Sequence, residues 1–101
     1  MKRHIVWGKK ASADYHAQLE FVAAANPVNA DLVDQRLFAT IEKLAERPIG
    51  RVGRIAGTYE KSVLKTSLII AYLLEDESIH ILRIIHAKRN WPEGQWPQDS
   101  Q

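Results

Sequence analysis

A handful of side chains in the second half of the chain could together break a phosphodiester. A metal-free ribonuclease needs a base for the 2′-oxygen, an acid for the leaving oxygen and cations for the charge that develops on phosphorus. Glu60 or His86 could be the base, and His86, with an unperturbed pKa near 6.5, could be the acid. Arg54, Lys61, Arg83 and Lys88 could hold phosphate, and Trp91 or Tyr72 could stack on a base. Each residue also has a plainer reading. His86 can be a hydrogen-bonded histidine at a strand end, and Glu60 the partner of a neighbouring arginine. Arg83 can lay its stem on apolar surface with its head in water. Trp91 can anchor the tail by packing.

Other chemistries are excluded or lack their parts. There is no cysteine, so thiol catalysis, disulfides and Cys-based zinc sites drop out. His4, His16, His80 and His86 do not form a metal-binding spacing. His80 and His86 fall on one face under strict alternation but lie roughly 20 Å apart at about 3.3 Å per residue. No metal and no cofactor is therefore expected. "GRVGRIAG", 50–57, lacks the lysine and the strand–helix setting of a phosphate loop.

A net charge of +2 supports no whole-protein argument for nucleic acid, but the charges are unevenly placed. Arg47, Arg51, Arg54, Lys61 and Lys65 face only Glu60 in sequence, and Arg83, His86, Lys88 and Arg89 follow with no acid between them. A locally basic surface on an almost neutral protein is the expectation. "MKRHIVWGKK" lacks the apolar core of a signal peptide, and no apolar run approaches the roughly 18 residues of a membrane span. A cytoplasmic protein fits.

The elements that must position these groups are few. At 101 residues and 46% apolar composition the chain is one domain, 1–101, with 97–101 expected to fray. "RHIVW", 3–7, is a short strand ended by Gly8. Ala11, Tyr15, Leu19 and Val22 then form one helical stripe from about Lys9 to Ala25. Asn26 can cap a second helix with Pro27 in its first turn. Its stripe is Ala30, Val33, Leu37, Ile41 and Leu44, and it stops before Pro48. The glycine-rich 50–58 reads as loop or irregular edge strand. "TYEKSVL", "SLIIAYLLE" and "IHILRIIHA" read as three antiparallel strands, the last two joined by the acidic turn "EDES".

The predicted class is α+β: an N-terminal strand, an antiparallel helical hairpin, then a three-stranded antiparallel sheet with the helices on one face. Both long strands are apolar on both faces, which a sheet with one wet face should not be. Strict alternation groups Leu68, Ile70, Tyr72 and Leu74 on one side of the first. It groups Ile79, Ile81, Arg83 and Ile85 on one side of the second. Two hairpin-linked helices can roof one face only. The other is expected to be an open apolar patch awaiting a protein partner or a second copy.

The ordered set of motifs resembles the RelE/ParE toxin superfamily of bacterial type II toxin–antitoxin modules, closest to the ParE-like branch. The carrying residues are "ANP" at 25–27, "LAERP" closing the second helix, "GRIAGTYEKSV" at 53–63, Tyr72 ending "IIAY", and "ILRIIHAKRNWP" at 81–92. The resemblance implies a toxin neutralised by a ParD-like antitoxin in a hetero-oligomer, with operator DNA reached only through the antitoxin. It implies DNA gyrase as target, inhibited by contact with no bond broken. The alternatives are a RelE-type ribosome-dependent mRNA endonuclease, for which Glu60, Arg83 and His86 would be the catalytic set, and a non-toxic regulatory remnant. The "IIHAKRNW" ending favours the gyrase branch because it lacks a dense basic run with a terminal tyrosine. The implied target contacts are Arg54, Lys61, Arg83, His86, Lys88, Arg89 and Trp91. The implied antitoxin contacts are Leu68, Ile70, Tyr72, Ile81, Arg83 and Ile85. Many ParE-like chains carry an aromatic where Leu68 stands and an arginine or similar polar group where Tyr59 stands, so the groove and target contacts differ here.

Overall fold

The computed structural model describes residues 2–86. Strand β1 (His4–Trp7) leads into helices α1 (Lys9–Ala25) and α2 (Pro27–Glu46). Strands β2 (Arg51–Val52), β3 (Tyr59–Ser62), β4 (Leu68–Leu74) and β5 (Ser78–His86) follow. The turn between the helices forms as its residues dictate. Pro27 occupies the first turn of α2, and the Asn26 side chain accepts the Asn29 N–H at 3.2 Å. The α2 stripe Ala30, Val33, Leu37, Ile41 and Leu44 is buried, and the α1 stripe packs beside it. Tyr15 ties the two helices together by donating its hydroxyl to Asp34 at 2.5 Å.

The sheet has five strands in the order β1-β5-β4-β3-β2. The three expected antiparallel strands form its centre. β1 adds to one edge, parallel to β5, and the glycine-rich segment supplies the two-residue β2 at the other. These two short edges are the difference from the three-stranded expectation. One brings together segments some seventy residues apart, and the other is the irregular edge strand that the glycine-rich segment offered as an alternative to loop.

A bulge matters more than either edge. Ala71 pairs with Arg83 while Tyr72 pairs with Ile81, so Leu82 is an extra residue on β5. Before it Ile79 and Ile81 face the helices; after it Ile84 does. The strict alternation that grouped Ile85 with Ile81, and His80 with His86, is broken at that point. His80 now lies opposite Leu73 and His86 opposite Leu68, on different faces.

The core lies between the hairpin and one face of the sheet. Leu37, Leu44, Ile70, Tyr72, Ile79, Ile81 and Ile84 are all at most 2% exposed. Each such aliphatic contributes roughly 1.5–3 kcal/mol by leaving water. On the opposite face Ile69, Ala71 and Glu60 are buried as well, and Leu73 and Ile85 are partly buried. The expected open apolar face is therefore not found on the sheet. The exposed large apolar groups lie at its margins and on the helices: Val6 and Trp7 on edge strand β1, Phe21, Val28, Leu32 and Phe38 on the helices, and Ile49, Val52 and Leu64 around β2 and the end of β3.

Candidate functional site

Four residues expected to greet an antitoxin are part of the chain's own core. Leu68, Ile70, Tyr72 and Ile81 sit beneath the hairpin, so the sheet face they occupy is closed by α1 and α2. Tyr72 is fully buried, stacks on Tyr59 at 5.7 Å, and its hydroxyl finds no hydrogen-bond partner among the described residues. Burial, and then Tyr59, push its phenol pKa up. A base cannot stack on it. The backbone at Gly50 is the reason the ring fits: a Cβ there would meet the Tyr72 hydroxyl at 2.2 Å and the Glu60 carbonyl at 2.8 Å.

Glu60 lies on the other face of the sheet, opposite Arg51 of β2 and Ala71 of β4. It is 3% exposed and is held by two arginines. Arg54 donates its backbone N–H and Nε to Oε2, both at 2.9 Å, and its Nη2 to Oε1 at 3.2 Å; Arg51 donates Nη2 to Oε1 at 3.4 Å. Burial alone would raise the carboxyl pKa. The Arg54 hydrogen bonds and the charges of Arg54 and Arg51 outweigh it, and the pKa lies below the ordinary glutamate value. Glu60 thus folds the loop between β2 and β3 onto the sheet. A carboxylate so held is a poor proton acceptor.

Arg83 follows a logic the sequence hid. The outer edge of β5 pairs with β1 only through Ile81, and beyond it α1 lies along the strand. Asp14 of α1 accepts the Ile84 N–H at 3.0 Å, closing that backbone edge. It also takes a two-point contact from Arg83, Nε at 2.7 Å and Nη2 at 3.0 Å. A partner 69 residues away leaves no local signal.

The three ribonuclease candidates are not assembled. Glu60 and Arg83 flank Ala71 on one face, while His86 sits opposite Leu68 on the face the helices cover. His86 lines a recess near Gln18, Phe21 and the β3–β4 turn. Arg54 and Arg83 are both engaged with carboxylates. Lys61 points to the helix side, beside α2. Lys88, Arg89, Trp91 and the tail lie outside the described residues. Among the described residues no group of three or more His, Asp or Glu gathers as a metal site, and no helix is long and apolar enough to cross a membrane.

Beyond these expected positions, a cleft runs between the second half of α2 and β3. Arg36, Lys43, Arg47 and Lys61 line it together with Ala39, Leu44, Ile49 and Leu64. Arg47 and Lys61 stand out in the sequence as members of its basic cluster. Arg36 and Lys43 were hidden among the acids of α2, although 36, 40, 43 and 47 fall at helical steps along one ridge.

Comparison with known proteins bears on this arrangement directly. Residues 5–91 match the family described as ParE toxin of type II toxin–antitoxin system, parDE. The protein named Toxin RelE2 from Caulobacter vibrioides is 34% identical over 86 residues, 84% of this chain and 96% of that one. Putative toxin Y4kP from Sinorhizobium fredii is 29% identical over 93 residues, 91% of this chain and 96% of its own. Among solved structures, the one titled Chromosomal ParDE TA system from P. aeruginosa superposes with a TM-score of 0.79 at 20% identity. That match covers 86% of this chain and 98% of the other. The fold is therefore shared, and the family match spans the helical hairpin and the whole described sheet. The chain belongs to the ParE toxin family of type II toxin–antitoxin systems.

Proposed function

We propose that this protein is a toxin that arrests growth by binding DNA gyrase, and that a ParD-like antitoxin holds it inactive in the cytoplasm until released. It breaks no bond itself. The observation that carries the reading is the separation of the would-be catalytic groups. Glu60 is charge-neutralised by Arg51 and Arg54 on one face, and His86 lies on the other. General acid–base work on one phosphodiester needs both groups within hydrogen-bond reach of it. Arg83 and His86 belong to the last strand, β5, and the proposed contact is a target surface they form with Lys88, Arg89 and Trp91.

The test pairs two assays on purified protein. Supercoiling by gyrase should fall in proportion to added protein, while ribosome-bound mRNA stays intact. His86→Ala should leave the absence of cleavage unchanged. Cleavage of mRNA that disappears in His86→Ala would overturn the gyrase reading in favour of the RelE-type one. Expression without growth arrest would leave a regulatory remnant.

A further inference from the structure

The face of the sheet turned away from the hairpin is drier than its described cover explains. On that outer face Ile69 of β4 is 5% exposed and Ala71 is fully buried, while Leu73 and Ile85 are partly buried. The hairpin packs on the opposite face, against Ile70, Tyr72, Ile79, Ile81 and Ile84. Over the middle of the outer face the cover is accounted for. The loop after β2 folds onto Glu60 through Arg54, and Arg83, opposite Ala71, reaches to Asp14. Toward the end of β5 it is not. Ile69 has Ser62 on one side and Ile85 on the other, and Ser62 is exposed. Side chains stand perpendicular to a sheet, so neighbours in its plane alone leave such a group in water. Among the described residues no helix or strand lies above Ile69. Yet it is out of water within a single chain.

The segment that can reach this spot follows directly. β5 ends at His86, one residue past Ile85, and 87–101 read AKRNWPEGQWPQDSQ. A reversal centred on Lys88 sets Trp91 level with Ile85. Trp96 comes roughly 16 Å further at about 3.3 Å per residue. Ile69 and Leu73 are about 14 Å apart on β4 by the same rule. The two indoles are thus spaced like the two apolar spots of the face. Pro92 and Pro97 have no N–H to give, which suits packing on a face and not another strand on an edge. A tryptophan buries roughly 150–250 Å², enough to dry a neighbouring pair of isoleucines. We infer that segment 87–96 turns back over the outer face, seating Trp91 on Ile69 and Ile85 and Trp96 toward Leu73. The chain then covers both sides of its own sheet. In the surface proposed for the target, Trp91 is the anchor, and Lys88 and Arg89 are carried in the reversal beside it. This placement follows from burial and reach and does not depend on what the target is.

The experiment uses the full chain, which has no cysteine and three tryptophans, Trp7, Trp91 and Trp96. Ser62→Cys, at an exposed position beside Ile69, carries a nitroxide. The indole N–H signals of the isotope-labelled protein are read with the nitroxide oxidised and then reduced. The Trp91 signal should vanish in the oxidised state. Trp7, three strands away on β1 and packed on Tyr15, should keep most of its intensity. A Trp91 signal as strong as that of Trp7 overturns the placement. Trp91→Ala should lower the melting temperature by about 5 °C or more and make the chain bind a hydrophobic dye, and Trp91→Phe should restore most of both. A Trp91→Ala chain that melts and binds dye as the parent does also overturns it. Loss of the Trp91 signal in a mixture of isotope-labelled chain without nitroxide and unlabelled chain carrying it gives the face to the tail of a second copy, against the inference. Loss that appears only when the antitoxin is added counts against it equally. None of these outcomes bears on growth arrest, so the toxin reading stands or falls separately.

Discussion

Two groups of basic residues in this protein stand in contrast. Those at the loop and edge of the sheet, Arg51, Arg54 and Arg83, are neutralised by buried or half-buried carboxylates at 2.7–3.4 Å. Those along the α2–β3 cleft, Arg36, Lys43, Arg47 and Lys61, have no carboxylate partner among the described residues. The sequence mixes the two, with Arg47 and Lys61 of the second set lying among Arg51 and Arg54 of the first. The fold separates a set used to build the molecule from a set turned outward, and the second has charge to spare for a partner. The first set should therefore govern stability and the second should govern binding.

The largest effect is expected where a buried carboxylate loses its main counter-charge. Arg54→Met leaves Glu60, 3% exposed, with Arg51 as its one cation among the described contacts and the backbone N–H of residue 54. Stability at pH 7 should fall by about 3 kcal/mol, a melting-temperature drop on the order of 15 °C for a domain of this size. The pH dependence carries the sign. The folded pKa of Glu60 is depressed, so its ion pairs stabilise fully above the ordinary glutamate value of 4.5 and are lost as pH falls through the lower folded value. The gap between parent and Arg54→Met, measured by denaturant titration, should be widest near neutrality and shrink in acid. A gap that is flat with pH would mean the arginine stabilises by packing.

Asp14→Ala should come next. It removes both Arg83 contacts and the acceptor of the Ile84 N–H, at a site where Asp14 and Arg83 are 17% and 20% exposed. A loss of about 2 kcal/mol is expected. Amide exchange should quicken at Ile84 and not at Ile70, its partner on the paired side. Equal change at both would place the damage in the whole sheet and not at its α1 edge.

This second case shows what was legible and what was not. The helices were readable because stripes such as Val33, Leu37, Ile41 and Leu44 repeat the helical period, and Asn26-Pro27 is punctuation with a local mechanism. The central strands were readable from their apolar runs. The candidate site was not, for three physical reasons. Leu82 bulges, which inverts the faces of every later residue in β5, so alternation misassigned Ile84, Ile85 and His86. Asp14 reaches Arg83 across 69 residues, so an arginine in an apolar strand was read as waiting for another molecule. The sheet face thought bare is largely buried, and the exposed apolar groups stand instead on the hairpin and at the two edges of the sheet. Glu60 did take its plainer reading, paired with a nearby arginine, because that partner lies only six residues away.

The smallest effect should come from the outward cations, and its smallness is informative. Lys43 lies in the last turn of α2 and Arg47 at its C-cap, four residues on, and like charges at such spacing repel by at most roughly 0.2–0.5 kcal/mol. They are also exposed, so solvent screens them. Lys43→Gln in the isolated chain should leave stability unchanged or raise it by a few tenths of a kcal/mol, against losses several times larger for Arg54→Met or Asp14→Ala. A destabilisation above about 1 kcal/mol would show that Lys43 holds the fold together, and the division between structural and outward charges would fail at its clearest member. If stability is indifferent, the charge on that ridge contributes nothing the folded chain needs by itself. Its energetic effect then lies in the potential it projects into the cleft, where only an added negative charge can draw on it.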